Sequence, residues 1–174
     1  TGTTFNGERF AHVYVIDVTA EKARPRRLTH RQANHESPTW SHDGAWIYTA
    51  RQLDPNLDEP HRQSAIFRIR VEDGHLESLT GTEATSFAPI PSPDGKWIAF
   101  TRFPRDGQHP VTERITHLTI IPAEGGDPID LNVPLDASAQ SFAWTPDNRI
   151  IFSAHWHGSA PIYAVTPEGD LQQL

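Results

Sequence analysis

The sequence predicts an all-β chain, a partial β-propeller of about three and a half four-stranded antiparallel blades. Two repeats and one absence predict it. A turn-bearing block recurs, with Asp43, Asp94 and Asp147 set 51 and 53 residues apart. A strand-like block follows each copy, and the closing leucines Leu28, Leu79 and Leu131 step by 51 and 52 residues. No window sustains helical periodicity, and 15 prolines and 11 glycines interrupt the chain too often for helices of ordinary length. Self-similarity at such a period marks a repeat architecture.

The first block reads Pro38-Thr39-Trp40-Ser41-His42-Asp43-Gly44-Ala45-Trp46-Ile47-Tyr48. Its later copies begin at Pro89 and Phe142 and carry Ser92-Pro93-Asp94-Gly95 and Thr145-Pro146-Asp147-Asn148. This is turn chemistry: Pro presets φ, Asp tolerates the next position, and Gly or Asn takes the left-handed one. His42 in place of Pro is expected to loosen the first turn. After the turn comes a short apolar run, such as Trp97-Ile98-Ala99-Phe100, which suits a strand covered on both faces.

The second block alternates. Ala65, Phe67, Ile69 and Val71 share one face, and Ile66, Arg68, Arg70 and Glu72 the other. That period predicts a half-buried strand. Asp73-Gly74 or Gly125-Gly126 then turns tightly into a last strand closing at Leu79-Thr80 or Leu131-Asn132. A weaker copy runs from Ile162 to Leu171, and an orphan copy, Val13 to Val18, opens the chain and closes at Leu28-Thr29. Each period thus holds four strands. Residues 36–80, 87–132 and 140–174 are expected to form three blades, and 1–29 the later strands of a fourth. Such a set cannot close a ring and is expected to leave two apolar blade faces exposed and prone to self-association. The chain has no methionine, which leads us to expect a piece of a longer protein.

Composition removes several classes of function. Without cysteine there is no disulfide framework, thiolate metal site or cysteine nucleophile. The apolar runs are too short to span a membrane as helices. The segment Thr1-Gly2-Thr3-Thr4-Phe5 lacks the charged and apolar regions of a signal peptide. A net charge of −7 does not suit nucleic-acid binding, and the basic cluster Lys22, Arg24, Arg26 and Arg27 reads as a solvated strand edge. No Gly-x-Ser-x-Gly elbow, phosphate-cradling loop or His-Glu-x-x-His motif occurs. His157-Gly158-Ser159-Ala160 reads as a loop.

Ten histidines raise a metal hypothesis, with His155 and His157 two apart on a strand face. His30, His35, His61 and His109 are scattered through turns, so no metal ligand is assigned. Asp54, Asp58 and Glu59 read as solvated loop carboxylates. Trp40, Trp46, Trp97 and Trp144 fall in register with the repeat and read as core between blades. Two polar connections, Gln52 to Gln63 and Phe103 to Arg114, are longer than a hairpin needs and recur at one position of adjacent blades. No catalytic, cofactor-binding or metal-binding residue is assigned, and no cofactor is expected.

The pattern Pro-x-Trp-Ser-x-Asp-Gly-x-Trp-Ile, with the later Ile121-Pro122-Ala123-Glu124-Gly125-Gly126-Asp127-Pro128, resembles the propeller of the prolyl oligopeptidase family, in its acylaminoacyl-peptidase branch. TolB-like periplasmic propellers and oligogalacturonate-lyase-like propellers use similar repeats. The peptidase resemblance implies a non-catalytic propeller capping an absent α/β-hydrolase domain and gating its active site for small peptides. It implies the remaining blades and that hydrolase domain as partners, with peptide as the parent's substrate and no nucleic acid or membrane. The absence of cysteine fits a reducing compartment, so a cytoplasmic location is expected, with the periplasm as the alternative. The alternatives are a TolB-like protein-binding propeller without chemistry and a metal-dependent lyase propeller.

Overall fold

The computed structural model describes residues 10–54, 63–104, 115–132, 135, 137–155 and 158–174. The fold is the expected partial β-propeller. A two-stranded sheet comes first, β1 (Tyr14–Val15) with β2 (Arg26–Arg27). Three four-stranded antiparallel sheets follow. They are β3 (His35–Trp40), β4 (Trp46–Gln52), β5 (Ser64–Arg70) and β6 (Leu76–Ser78); β7 (Ala84–Pro91), β8 (Trp97–Pro104), β9 (His117–Pro122) and β10 (Ile129–Asp130); and β11 (Ser138–Trp144), β12 (Ile150–His155), β13 (Ile162–Val165) and β14 (Leu171–Gln173). Strands lie in chain order within each sheet, so every connection is a hairpin. No helix among the described residues is long and apolar enough to cross a membrane.

The repeated turn is built alike three times. Gly44, Gly95 and Asn148 occupy the left-handed position, with φ of 72°, 72° and 60°. Their amides donate to the carbonyls of Ser41, Ser92 and Thr145 at 3.1, 3.0 and 3.0 Å. Those same hydroxyls donate to Asp43, Asp94 and Asp147 at 2.6, 2.6 and 2.5 Å. They also accept the amides of Trp46, Trp97 and Arg149. The hydrogen bonds hold each carboxyl below its ordinary range. With His42 in place of Pro the first turn keeps the φ and the hydrogen bonds of its Pro-bearing copies.

Each first strand carries a bulge that the repeat pattern did not announce. The register slips between Glu36 and Thr39, Phe87 and Ile90, and Ala139 and Phe142. Ser37 and Ala88 sit there at φ of 50°, a conformation rare for residues with a Cβ.

Three clusters of apolar side chains lie between successive sheets. Val13 and Leu28 pack with Ile47 and Ile69. Tyr48, Ala50 and Ile66 pack with Ile98, Phe100 and Ile121. Leu118 and Ile120 pack with Ile150, Phe152 and Ala154. β5 departs from the half-buried expectation: Ile66 and Ile69 point to opposite faces, yet both are fully buried. One meets the following sheet and the other meets β1, so a third strand is an interior strand. Arg68 on that same strand escapes the apolar surroundings by lying over the Trp46 ring, 4.3 Å from its centroid. It donates to Glu77 at 2.7 Å, and to the Ala123 carbonyl and Glu124 of the next sheet at 3.0 and 3.1 Å.

Candidate functional surfaces

One end of each sheet carries the connection from second to third strand. Leu53 donates to Gln63 at 2.8 Å and closes the neck of the first such connection. Residues 55–62 and 105–114 lie outside the described residues, and with them most of both long connections, Asp58, Glu59, His61 and His109. Ser64, at the start of β5, donates to the Ser86 carbonyl on β7 at 2.7 Å, so these ends of the first two complete sheets abut.

A basic residue stands at this end of all three second strands. Arg51, Arg102 and His155 oppose His35, Ser86 and Ser138 on the first strands, and Arg51 and Arg102 are equivalent, each four residues beyond the second-strand residue, Ile47 or Ile98, of the pair next to the turn. Arg102 is neutralised. Its Nε and Nη2 each lie 2.9 Å from the two Asp130 oxygens, and Thr119 adds a 2.6 Å bond to Oδ1. Burial alone would raise the Asp130 carboxyl, but the Arg102 and Thr119 bonds outweigh it and hold the pKa below the usual range.

The first sheet's counterpart differs. Arg51 lies with its guanidinium 5.0 Å from the Phe67 ring centroid, and its buried Nε has no hydrogen-bond acceptor. His35 is buried beside it, and its Nδ1 also lacks a partner. Burial first, then the charges of Arg51 and His12, lower the His35 pKa to about 4, so the ring is neutral near pH 7. His12 is lowered too, by burial and then by Arg27 and His30. Arg27 Nη2 meets His12 Nε2 at 2.6 Å, and the His12 Nδ1 meets the Thr29 hydroxyl at 3.1 Å. Nothing in the local sequence separates Arg51 or His35 from the other basic residues; the signal is positional and lies in the comparison of one repeat with the next.

The two terminal sheet faces form a second pair of surfaces. On one, Tyr14, Ile16 and Trp40 are exposed, beside a hollow of about 320 Å³ bounded by Val13, Pro38, Trp40 and Ile47. On the other, Ile151 and Ile162 are exposed around a hollow of about 380 Å³ with Phe142 and Phe152. Trp46, Trp97 and Trp144 are half-buried against the clusters as expected. Trp40 is not: it is 53% exposed. Its equivalent, Trp144, donates Nε1 to the Ile90 carbonyl on the first strand of the preceding sheet at 3.0 Å. Among the described residues the sheet preceding Trp40 has two strands, and neither is a first strand.

Of the histidine pair, His155 is exposed at the end of β12, and His157 lies outside the described residues. Among the described residues no three His, Asp or Glu side chains converge as a metal site would require.

No family model matches the chain. A curated protein of Agrobacterium fabrum, described as uncharacterized, is 28% identical over 94 residues, which are 54% of this chain and 29% of that protein. The chain thus spans less than a third of that relative. Solved structures that resemble it include TolB proteins and peptidase propellers. TolB from Acinetobacter baumannii matches with a TM-score of 0.61 and 22% identity, over 92% of this chain and 36% of that one. A puromycin-hydrolyzing peptidase of Mycobacterium tuberculosis matches with a TM-score of 0.67 and 19% identity, over 92% and 30%. The β-propeller domain of the Trilobed protease from Pyrococcus furiosus matches with a TM-score of 0.64 and 16% identity, over 92% and 45%. At such identities the likeness speaks for the fold, and it reaches TolB and peptidase propellers alike.

Proposed function

We propose that this chain is the non-catalytic propeller segment of a prolyl oligopeptidase-family serine peptidase, close to the acylaminoacyl-peptidase branch. In this reading it caps an α/β-hydrolase domain and gates entry of small peptides. The supporting observation is the loop-bearing end: Leu53 and Gln63 close the neck of a long connection in one sheet, and the next sheet repeats that connection at the same register. Loops raised side by side on a rigid sheet are a usual site of function. The remaining blades and the hydrolase domain are the partners this reading requires, and peptide is the substrate of the whole protein. In this reading the nucleophile lies in the hydrolase domain, since Gly-x-Ser-x-Gly does not occur in this chain.

A second reading is a TolB-like propeller that binds protein partners without chemistry. The likeness to TolB over 92% of this chain favours it equally. The two readings part on the sequence following Leu174 in the gene. A Gly-x-Ser-x-Gly motif with later Asp and His supports the peptidase, and the full-length protein is then expected to cleave acylated peptides while residues 1–174 alone do not. A stop codon within a few blades refutes the peptidase and leaves the binding propeller.

A further inference from the structure

The superposed repeats expose one position where charge is balanced in one sheet and unbalanced in its neighbour. We propose that Arg51 anchors a binding site for a carboxylate at the loop-bearing end of the first four-stranded sheet.

The second four-stranded sheet supplies the template. There Arg102 opposes His117, and Thr119, two residues on, opposes Asp130. The Asp130 carboxylate is held by both Arg102 nitrogens and by Thr119. In the first four-stranded sheet Arg51 opposes Ala65, and Phe67, two residues on, opposes Ser78. Phe67 thus stands for Thr119, and Ser78 for Asp130. The guanidinium is kept and its carboxylate is lost. Ser78 does not substitute for it, because its hydroxyl donates to the Thr80 carbonyl at 2.9 Å.

What remains favours an incoming anion. The Phe67 ring lies 5.0 Å from the Arg51 guanidinium carbon, which fixes its plane without neutralising it. The surroundings are basic: Arg31 lies close enough to disfavour the Arg51 charge, after burial itself. No described Asp or Glu pairs with Arg51. A half-buried guanidinium without an acceptor leaves its desolvation unrepaid, and a carboxylate fits its planar fork through two parallel bonds. Arg102 shows that this register takes a carboxylate in that way. The site stands apart from the peptidase reading, since it serves a peptide C-terminus and an acidic side chain equally.

The test follows the Arg51 Nε–H resonance of the 174-residue chain by nitrogen-15 NMR. The probes are N-acetylglycine, its amide, which lacks the carboxylate, and inorganic phosphate. N-acetylglycine is expected to shift the resonance saturably and the amide to leave it in place. Arg51→Gln is expected to weaken binding about tenfold, read on neighbouring amides. Ser78→Asp restores the missing counter-ion from within. It keeps Arg51 in place, and is expected both to weaken the probe about tenfold and to raise the unfolding temperature. An equal response to the amide, tighter binding of phosphate, or unchanged binding in Ser78→Asp overturns the proposal. A shift of the resonance in Asp58→Asn/Glu59→Gln without any probe also overturns it, because the chain's own loop then supplies the carboxylate.

Discussion

Ile66 and Ile69 decide whether the third strand is interior. They are three residues apart on β5, point to opposite faces and are both fully buried. Ile66 packs with Ile98, Phe100 and Ile121, and Ile69 with Val13, Leu28 and Ile47. Truncation to Ala removes three carbons. At about 0.8 kcal/mol for each buried methylene, the transfer loss is about 2.4 kcal/mol. The neighbours are β-strand side chains held by ladders on both sides, so the hole collapses little, and the total falls in the range of about 2–5 kcal/mol. Ile66→Ala and Ile69→Ala are each expected to lower the unfolding free energy extrapolated from urea titration by that amount, with m unchanged. Because they face different sheets and share no partner in these clusters, their costs are expected to add within about 0.5 kcal/mol. A loss below about 0.5 kcal/mol for Ile66→Ala, the size of an ordinary surface substitution, refutes burial on that face.

Four further outcomes are expected. Asn148→Val forces a β-branched residue to φ of 60° and is expected to cost about 1–3 kcal/mol, whereas Asn148→Gly keeps the left-handed backbone, loses only the bond from the Asp94 amide to Asn148 Oδ1, and is expected to cost less, both read from thermal unfolding. Asp130 has a folded pKa below its ordinary value, so its stabilising contribution is complete above pH 3.8 and is lost as pH falls through the folded pKa; Asp130→Asn is expected to flatten that acid limb in stability-versus-pH curves. His35 folds as a neutral ring, so the unfolded chain binds more protons between pH 6.5 and about 4, and stability is lost as pH falls through that window; His35→Gln removes that slope. The exposed terminal faces are expected to drive self-association, visible as a rising sedimentation coefficient with concentration, which Trp40→Glu with Ile151→Glu suppresses.

What the sequence disclosed, and what it withheld, follows the physics of repetition. Strand order, turn placement and the left-handed Gly44, Gly95 and Asn148 are local consequences of residue type, and they are legible one block at a time. The serine–aspartate pairs within those turns were hidden in plain text, because the motif reads as Pro-Asp-Gly until the Ser92 hydroxyl is seen bridging Asp94 and the Trp97 amide. The burial of Ile66 is hidden in the sequence for a different reason. Alternation with Arg68 and Arg70 describes a half-wet strand, but both arginines cover the Trp46 ring and Arg68 reaches the next sheet, so polar residues on that face do not imply solvent.

The surfaces were less legible than the fold because they depend on differences between repeats, and a motif search rewards sameness. Arg51 and Arg102 sit 51 residues apart at one structural position, and nothing in either local sequence distinguishes them. The distinction lies on the fourth strand, 27 residues beyond Arg51 and 28 beyond Arg102, where one repeat has Ser78 and the other Asp130. Trp40 and Trp144 make the same point. Each ends a bulged first strand, yet Trp144 is satisfied by the Ile90 carbonyl and of Trp40 more than half is exposed. In a structure whose blades share one framework, the positions at which equivalent residues have unequal partners are where binding can differ from packing. Arg51 at the loop-bearing end and Trp40 on the terminal face are two such positions, and it is there that we propose to look for binding.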